Sequence, residues 1–271
     1  MRETEIIKKR QTQPEPVNAQ EAEEIESLGA VIAEDEKPKL GSMKIDLHCH
    51  SEASHDSSTP LELIPARCLE RDVSVQAITD HDQIWGAQKL REMVEGANGD
   101  GLHPLTIIVG QEISTSEGEI IGLFLEEAIA PGLSPEKTVD LIKEQGGLVL
   151  LPHGFDPLKR WRLKPGALER IAGAVDIVET FNARISRIQW NQAAVSWSKE
   201  RGILMSAGSD AHTLADIGSA WVEVPRRTIE GPQDLLDSLQ GGVPVGEWNH
   251  PVLAYFYKMW DRTLRKLEVR Q

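Results

Sequence analysis

What this sequence lacks narrows its function first. No apolar run approaches the roughly 20 residues needed to span a bilayer; the longest, such as Leu148-Val149-Leu150-Leu151, has the length of a strand. No apolar segment follows the charged residues at the N-terminus, so no secretory signal is expected and the cytoplasm is the expected location. Cysteine is scarce: Cys49 and Cys68 have neither zinc-finger spacing nor the density of a disulfide scaffold, so reduced thiols are expected. Basic charge is outweighed, with 29 Lys and Arg against 43 Asp and Glu and a formal net charge of −14. A groove for long nucleic acid shows as clustered Lys and Arg, so long nucleic acid is not an expected partner, and neither is a membrane. A small phosphorylated substrate stays open, because a bound metal cluster reverses the local sign of charge.

Residues 1–42 differ from the rest of the chain. No aromatic occurs in residues 1–40, glutamates crowd Glu21 to Glu26, and Gly41-Ser42 makes a break. Such a composition cannot bury enough apolar surface to order itself, so an acidic, mobile tail is expected there. From Lys44 onward, short apolar runs alternate with amphipathic stretches. The expected strands are Lys44–Leu47, Val75–Thr79, Thr106–Val109, Glu119–Leu125, Leu148–Leu151, Ala174–Glu179, Ile203–Ala207 and Ala220–Val224. The expected helices are Pro60–Arg71, Trp85–Glu95, Pro135–Gln145, Ser186–Arg201 and Gly231–Leu239. Thr59-Pro60 and Ser134-Pro135 each read as an N-cap followed by proline at the first helical position. Strand–helix alternation of this length implies an α/β fold with a parallel sheet, and the number of units suits a barrel better than an open sheet. A domain over residues 43–248 would then be followed by a C-terminal helix, residues 249–271. That helix would pack on the barrel or on a second subunit, so an oligomer is allowed.

In such folds functional groups gather at the C-terminal ends of the strands. Five of the eight histidines fall there, mixed with carboxylates. The runs are His48-Cys49-His50, Thr79-Asp80-His81-Asp82, Gly110-Gln111-Glu112, Pro152-His153-Gly154, Glu179-Thr180-Phe181-Asn182 and Ser209-Asp210-Ala211-His212. A lone histidine at a strand end more often satisfies a hydrogen bond than binds a metal. Five together are hard to explain as structure, since each buried polar group needs a partner. In His-x-His on a strand both imidazoles face the same side and can grip one cation, while Cys49 points away. Mixed imidazole and carboxylate ligands suit zinc, manganese or iron better than calcium or magnesium alone.

In order along the chain, Asp46-Leu47-His48-Cys49-His50, Asp56-Ser57, Ile78-Thr79-Asp80-His81, Gly110-Gln111-Glu112, Pro152-His153, Glu179-Thr180-Phe181-Asn182 and Gly208-Ser209-Asp210-Ala211-His212 resemble the motifs of the polymerase and histidinol phosphatase (PHP) family. The resemblance covers about Met43 to Val245. It implies a distorted seven-stranded (β/α)7 TIM-like barrel and two or three divalent transition metal ions (Mn, Zn or Fe). One metal would be held by His48, His50, Glu112 and Asp210, and a second by Asp56, His81 and His212. Asp56 is preferred to His55 because it follows His50 by six residues, as in many members. Trinuclear members bridge a third metal with the residue matching Glu112, bind it with the one matching His153, and add a histidine on the strand after Gly-x-Glu. Here that strand, Gly118-Glu119-Ile120-Ile121-Gly122-Leu123, has no histidine. The stretch Glu117 to Leu125 resembles the subgroup known as predicted metal-dependent phosphoesterases.

The resulting expectation is a metal-dependent hydrolase of phosphate esters, a phosphatase or phosphodiesterase. It would use a metal-activated hydroxide on a small nucleotide-like substrate or an oligonucleotide end. Asp80 and Arg184 are the candidate catalytic groups beside the metals. Arg160, Arg162, Asn182 and Arg187 are candidates for holding phosphate, since the planar guanidinium fork matches phosphate oxygens. The alternatives are an amidohydrolase-type metal hydrolase and a metal-binding regulatory module without catalysis.

Overall fold

The computed structural model describes Val31–Ile32, residues 41–97 and residues 105–248. Apart from Val31–Ile32 and Gly41-Ser42, the acidic tail and the C-terminal helix read from the sequence lie outside the described residues.

Ten strands form one sheet among the described residues. In chain order they are β1 (Val31–Ile32), β2 (Ser42–Asp46), β3 (Val73–Ile78), β4 (Thr106–Thr115), β5 (Gly118–Leu123), β6 (Leu148–Leu151), β7 (Ile177–Asn182), β8 (Leu204–Gly208), β9 (Ala220–Pro225) and β10 (Val243–Gly246). The helices are α1 (Ile64–Glu70), α2 (Trp85–Ala97), α3 (Pro135–Glu144), α4 (Pro165–Ile171), α5 (Gln189–Arg201) and α6 (Pro232–Leu239).

Side-chain alternation on the strands makes two apolar layers. On β6, Leu148 and Leu150 join the inner layer with Ile45, Val75, Ile108, Ile121 and Ile177, whereas Val149 and Leu151 face the outer layer with Ile64, Leu90, Ile142 and Leu168. A strand buried on both faces reads as a continuous apolar run, which is why Leu148–Leu151 is so distinct in the sequence. The sheet runs β1-β10-β9-β2-β3-β4-β5-β6-β7-β8. Its far end then returns to β2. Leu47 N–H donates to Ala207 O (3.2 Å), Asp210 N–H to His48 O (2.8 Å) and His50 N–H to Ala211 O (2.9 Å). Strands β2 to β8 therefore make a nearly closed, seven-stranded, TIM-like barrel, with β9, β10 and β1 extending the sheet from β2.

The wholly parallel sheet expected from the alternation is corrected at two places. β5 is antiparallel to both β4 and β6, and β9 is antiparallel to β2 and β10. β4 runs six residues past its expected end, and only Ser116 and Glu117 separate it from β5. A parallel crossover needs a dozen or more residues, so this link can only be a hairpin. Helix α4 was not foreseen. α3 begins as read: Ser134 accepts from the Lys137 N–H (3.2 Å) and Pro135 sits in the first turn. Thr59 caps nothing of the kind, because Leu61–Leu63 forms a 3₁₀ turn and α1 starts only at Ile64, with Pro65 in its first turn.

Candidate metal centre

The barrel seam shapes the first motif. Asp46 accepts from the His48 backbone N–H (3.2 Å), an Asx turn, and across the seam from the Ser209 N–H (3.0 Å) and hydroxyl (2.6 Å). Asp46 is fully buried, and burial pushes its pKa up to about 6 against those hydrogen bonds. The turn shifts the alternation of β2 by one residue. Leu47 still packs in the inner layer, Cys49 packs in the outer one, and both imidazoles of the His-x-His pair turn into the barrel mouth.

All eight residues read as ligands from the sequence come together there. Four sets of donor atoms each lie within 4.8 Å of one another: His50, Asp56, His81 and His212; His48, His50 and Asp210; His48, Glu112 and His153; and His81, Glu112 and Glu119. Glu112 is central. Its Oε2 is 3.4 Å from His48 Nε2, 3.3 Å from His50 Nε2 and 3.4 Å from His81 Nδ1, while Oε1 is 3.0 Å from His153 Nε2. Asp56 stands 2.7 Å from His212 Nε2 and 3.8 Å from His81 Nε2. His55 is exposed, with its ring 5.2 Å from that of His81. His153 and Asp210 have positive φ angles, 26° and 50°. Non-glycine residues in that region cost of the order of 1 kcal/mol each and cluster at functional sites.

Other side chains orient these. Glu179 Oε1 holds His48 Nδ1 at 2.9 Å, and its Oε2 accepts from the His153 N–H (2.7 Å) and from Asn182 Nδ2 (3.0 Å). Asn182 also reaches Asp210 Oδ2 at 3.4 Å, so its amide is turned to the carboxylates. Asp80 spends both carboxylate oxygens on Ser51, taking its N–H (2.6 Å) and hydroxyl (2.7 Å), which fixes the loop after β2. Arg184 donates to Asp210 O (3.1 Å) and lies against His212 Nδ1. Of the basic loop after β6, Lys159 enters the site, with Nζ 2.6 Å from Asp210 Oδ2. Arg160 lies over the Trp161 ring (4.8 Å) and is exposed, Arg162 is half-buried at the loop's return, and Arg187 is exposed before α5. From the sequence Glu119, Lys159 and Glu179 had no role of their own, although Glu179 opens one of the strand-end runs. For Glu119 the available signal was the two-residue hairpin link.

Electrostatics divide the cluster. Burial alone would lower the His48 pKa, but the carboxylates of Glu179, Glu112 and Asp210 raise it well above the ordinary value. His50, also opposed by burial, is carried up to about 9 by Asp210 and Glu112. Burial, Arg184 and His50 drive His212 down to about 3. Glu119 is pushed up to about 10 by burial and the Glu112 carboxylate, against the pull of Lys159. The carboxylates of Asp56, Glu112, Glu119, Glu179 and Asp210 face two permanent cations, Lys159 and Arg184, and divalent ions would take the place of the protons otherwise held by His48, His50 and Glu119. The donor geometry fits too. His48 Nε2 and His50 Nε2 converge to 3.1 Å while the other His48 nitrogen is held by Glu179. Fixing one ring nitrogen in this way presents the other to a metal.

The PHP domain model matches residues 46–158, and the PHP-associated model matches residues 189–244. The uncharacterized protein MJ0417 of Methanocaldococcus jannaschii is 36% identical over 196 residues, spanning 71% of this chain and 75% of that protein. The chain belongs to the PHP family. Among solved structures, PsfC of Pseudomonas syringae superposes with a TM-score of 0.61 at 18% identity, over 83% of this PHP chain and 99% of its own. A two-domain protein of Bacteroides vulgatus, containing a predicted PHP-like metal-dependent phosphoesterase, superposes at 0.58 and 16% identity over 84% and 74%. Both likenesses are of fold. Among the described residues of this PHP chain, no helix is long and apolar enough to cross a membrane.

Proposed function

We propose that this PHP protein is a metal-dependent hydrolase of phosphate esters, acting on a small nucleotide-like substrate or an oligonucleotide end. The observation that carries the reading is the pairing of a cation-binding cluster with two fixed cationic side chains. Lys159 Nζ is 2.6 Å from Asp210 Oδ2, and Arg184 donates to Asp210 O at 3.1 Å. A neutral amide or lactam needs no such cations, whereas a phosphoryl group offers anionic oxygens to both. Support also comes from the Bacteroides vulgatus protein described above.

His48, His50, Glu112 and Asp210 would hold one ion, and Asp56, His81 and His212 a second. Bound divalent cations would lower the pKa of water into the neutral range and screen the phosphoryl charge. The chain's own part is positional. Glu179 fixes the His48 ring, the Asp46 turn aims the His-x-His pair, and Lys159 and Arg184 engage the phosphoryl oxygens. Metal-loaded protein should release phosphate from some member of a panel of nucleoside phosphates, short oligonucleotides and simple aryl phosphates. Lys159→Ala and Arg184→Ala should each lower kcat/KM by about ten- to a hundredfold, the cost of one charge-assisted hydrogen bond. Full metal occupancy without turnover of any phosphoester would overturn the proposal.

Cation uptake should also depend on pH. A metal binds only neutral imidazole, and His50 keeps its proton to about pH 9, with His48 also raised. Below that pH, uptake must expel protons, so affinity should rise with pH until about 9. Calorimetric titration in buffers of different ionisation enthalpy should give heats that scale with that enthalpy. Heats independent of the buffer would contradict this.

A further inference from the structure

We propose that Glu119 is a cation ligand which, with Glu112 and His153, forms a third, carboxylate-rich position selective for a hard divalent ion such as Mn2+ or Mg2+. The inference rests on the metal-dependent reading above and extends it to a residue outside the two ligand sets named there.

The hairpin supplies the geometry. β4 and β5 pair with Ser114 opposite Glu119 and Glu112 opposite Ile121, so the two glutamates occupy diagonal positions on one face. Both are buried. Glu119 Oε1 lies 3.7 Å from His81 Nδ1, and Oε2 lies 3.8 Å from His153 Nε2, the nitrogen that is 3.0 Å from Glu112 Oε1. Separations of 3.7 and 3.8 Å exceed hydrogen-bond length. They suit two donors on one ion, which at ligand distances of about 2.1 Å stand about 3–4 Å apart. His81, which shares a donor set with Glu112 and Glu119, turns its other nitrogen, Nε2, to Asp56 and so stands between this position and the neighbouring set.

Glu119 is also held in place. Its N–H donates to Trp161 O (2.8 Å), pinning β5 to the loop that carries Lys159. Gly118 before it has φ 129°, and a β-carbon there would run into the backbone of Arg162 and Leu163. Lys159, on that same loop, bonds Asp210 at 2.6 Å.

The ligand type sets the preference. Trinuclear members of the family carry an imidazole on this strand, and a carboxylate in its place favours manganese or magnesium over zinc. Glu112, shared with the first ion, and Glu119, ionised when it ligates, would supply the carboxylate charge facing the third.

The test counts ions in the full chain, stripped with chelator and titrated with Mn2+. Bound metal would be read by elemental analysis and by the loss of the free Mn2+ paramagnetic resonance signal. Wild type should take up three Mn2+ and Glu119→Gln two, while Glu119→His should regain a third site that prefers Zn2+. Circular dichroism and melting in chelator establish that each variant is folded. Equal counts and affinities in wild type and Glu119→Gln would overturn the role of Glu119 while leaving the two-ion reading intact. So would a Glu119→His variant without gain for Zn2+. A wild-type chain that binds no transition metal would overturn the underlying reading itself.

Discussion

Replacing Glu112 by glutamine is expected to lower phosphoester turnover by about a thousandfold or more, roughly 4 kcal/mol of transition-state stabilisation. No other side chain meets so much of the cluster: one oxygen faces His48, His50 and His81 at 3.3–3.4 Å and the other faces His153 at 3.0 Å. Burial would raise its pKa, but His48 and His81 hold it well below the usual carboxylate range, so it stays ionised. Glutamine keeps the volume, removes the charge and turns an amide N–H₂ toward ring nitrogens that must stay free to bind metal. Removing one partner from a buried charged set also costs about 3–5 kcal/mol of folding stability, so the variant's fold must be read beside its turnover. The check is kcat/KM alongside metal content and circular dichroism of the variant. Turnover within tenfold of wild type at unchanged metal content would show that Glu112 is not the shared ligand.

The second large effect is expected at Gly208, which ends β8. A β-carbon at this position would collide with the His48 β-carbon and with Glu179 Oε1. Neither can retreat. His48 is fixed at the barrel seam, and Glu179 holds both the His48 ring and the His153 backbone. Overpacking of this kind costs about 1–3 kcal/mol. For a protein of this size that lowers Tm by several degrees, at about 2–4 °C per kcal/mol. Displacing the Glu179–His48 pair should in addition weaken metal binding by about ten- to a hundredfold, the usual effect of disturbing a group that orients a metal ligand. Gly208→Ala therefore separates packing from ligation: melting in chelator reads the first and metal titration the second. A variant that melts early yet binds metal as tightly as wild type would refute the claim that Glu179 orients His48.

The gathering of these side chains was legible because they are rare residue types at strand ends, in an order that few folds share. His48, His50, Asp56, His81, Glu112, His153, Asp210 and His212 all reach one cluster. What escaped the sequence depended on direction and register. Glu119 reads as one polar residue in an apolar strand, and only the antiparallel pairing with β4 turns it toward Glu112. That pairing could have been deduced, since no helix fits between Val109 and Glu119. Lys159-Arg160-Trp161-Arg162 offers three basic side chains in four positions, and the turn of the loop decides that lysine enters while Arg160 lies on Trp161. From the sequence, Asp80 is a candidate catalytic group beside the metals. Its two hydrogen bonds to Ser51 show what a buried carboxylate does when backbone and hydroxyl donors are closest.

The seam of the barrel also sets an order of events during synthesis. Asp46 and Ser209, which clasp β2 to β8, are 163 residues apart in the chain. His48 and His50 leave the ribosome long before Asp210 and His212 exist. An ion met at that stage would find only two imidazoles, on an unpaired strand. If the cluster holds an ion as proposed, full coordination would arrive only when β8 docks on β2, coupling capture of the ion to closure of the ring. Long-range closure of this kind is slow and leaves strand edges open meanwhile. Scarcity of metal in the cell would therefore be felt first as a delay in maturation, before it was felt as a loss of turnover.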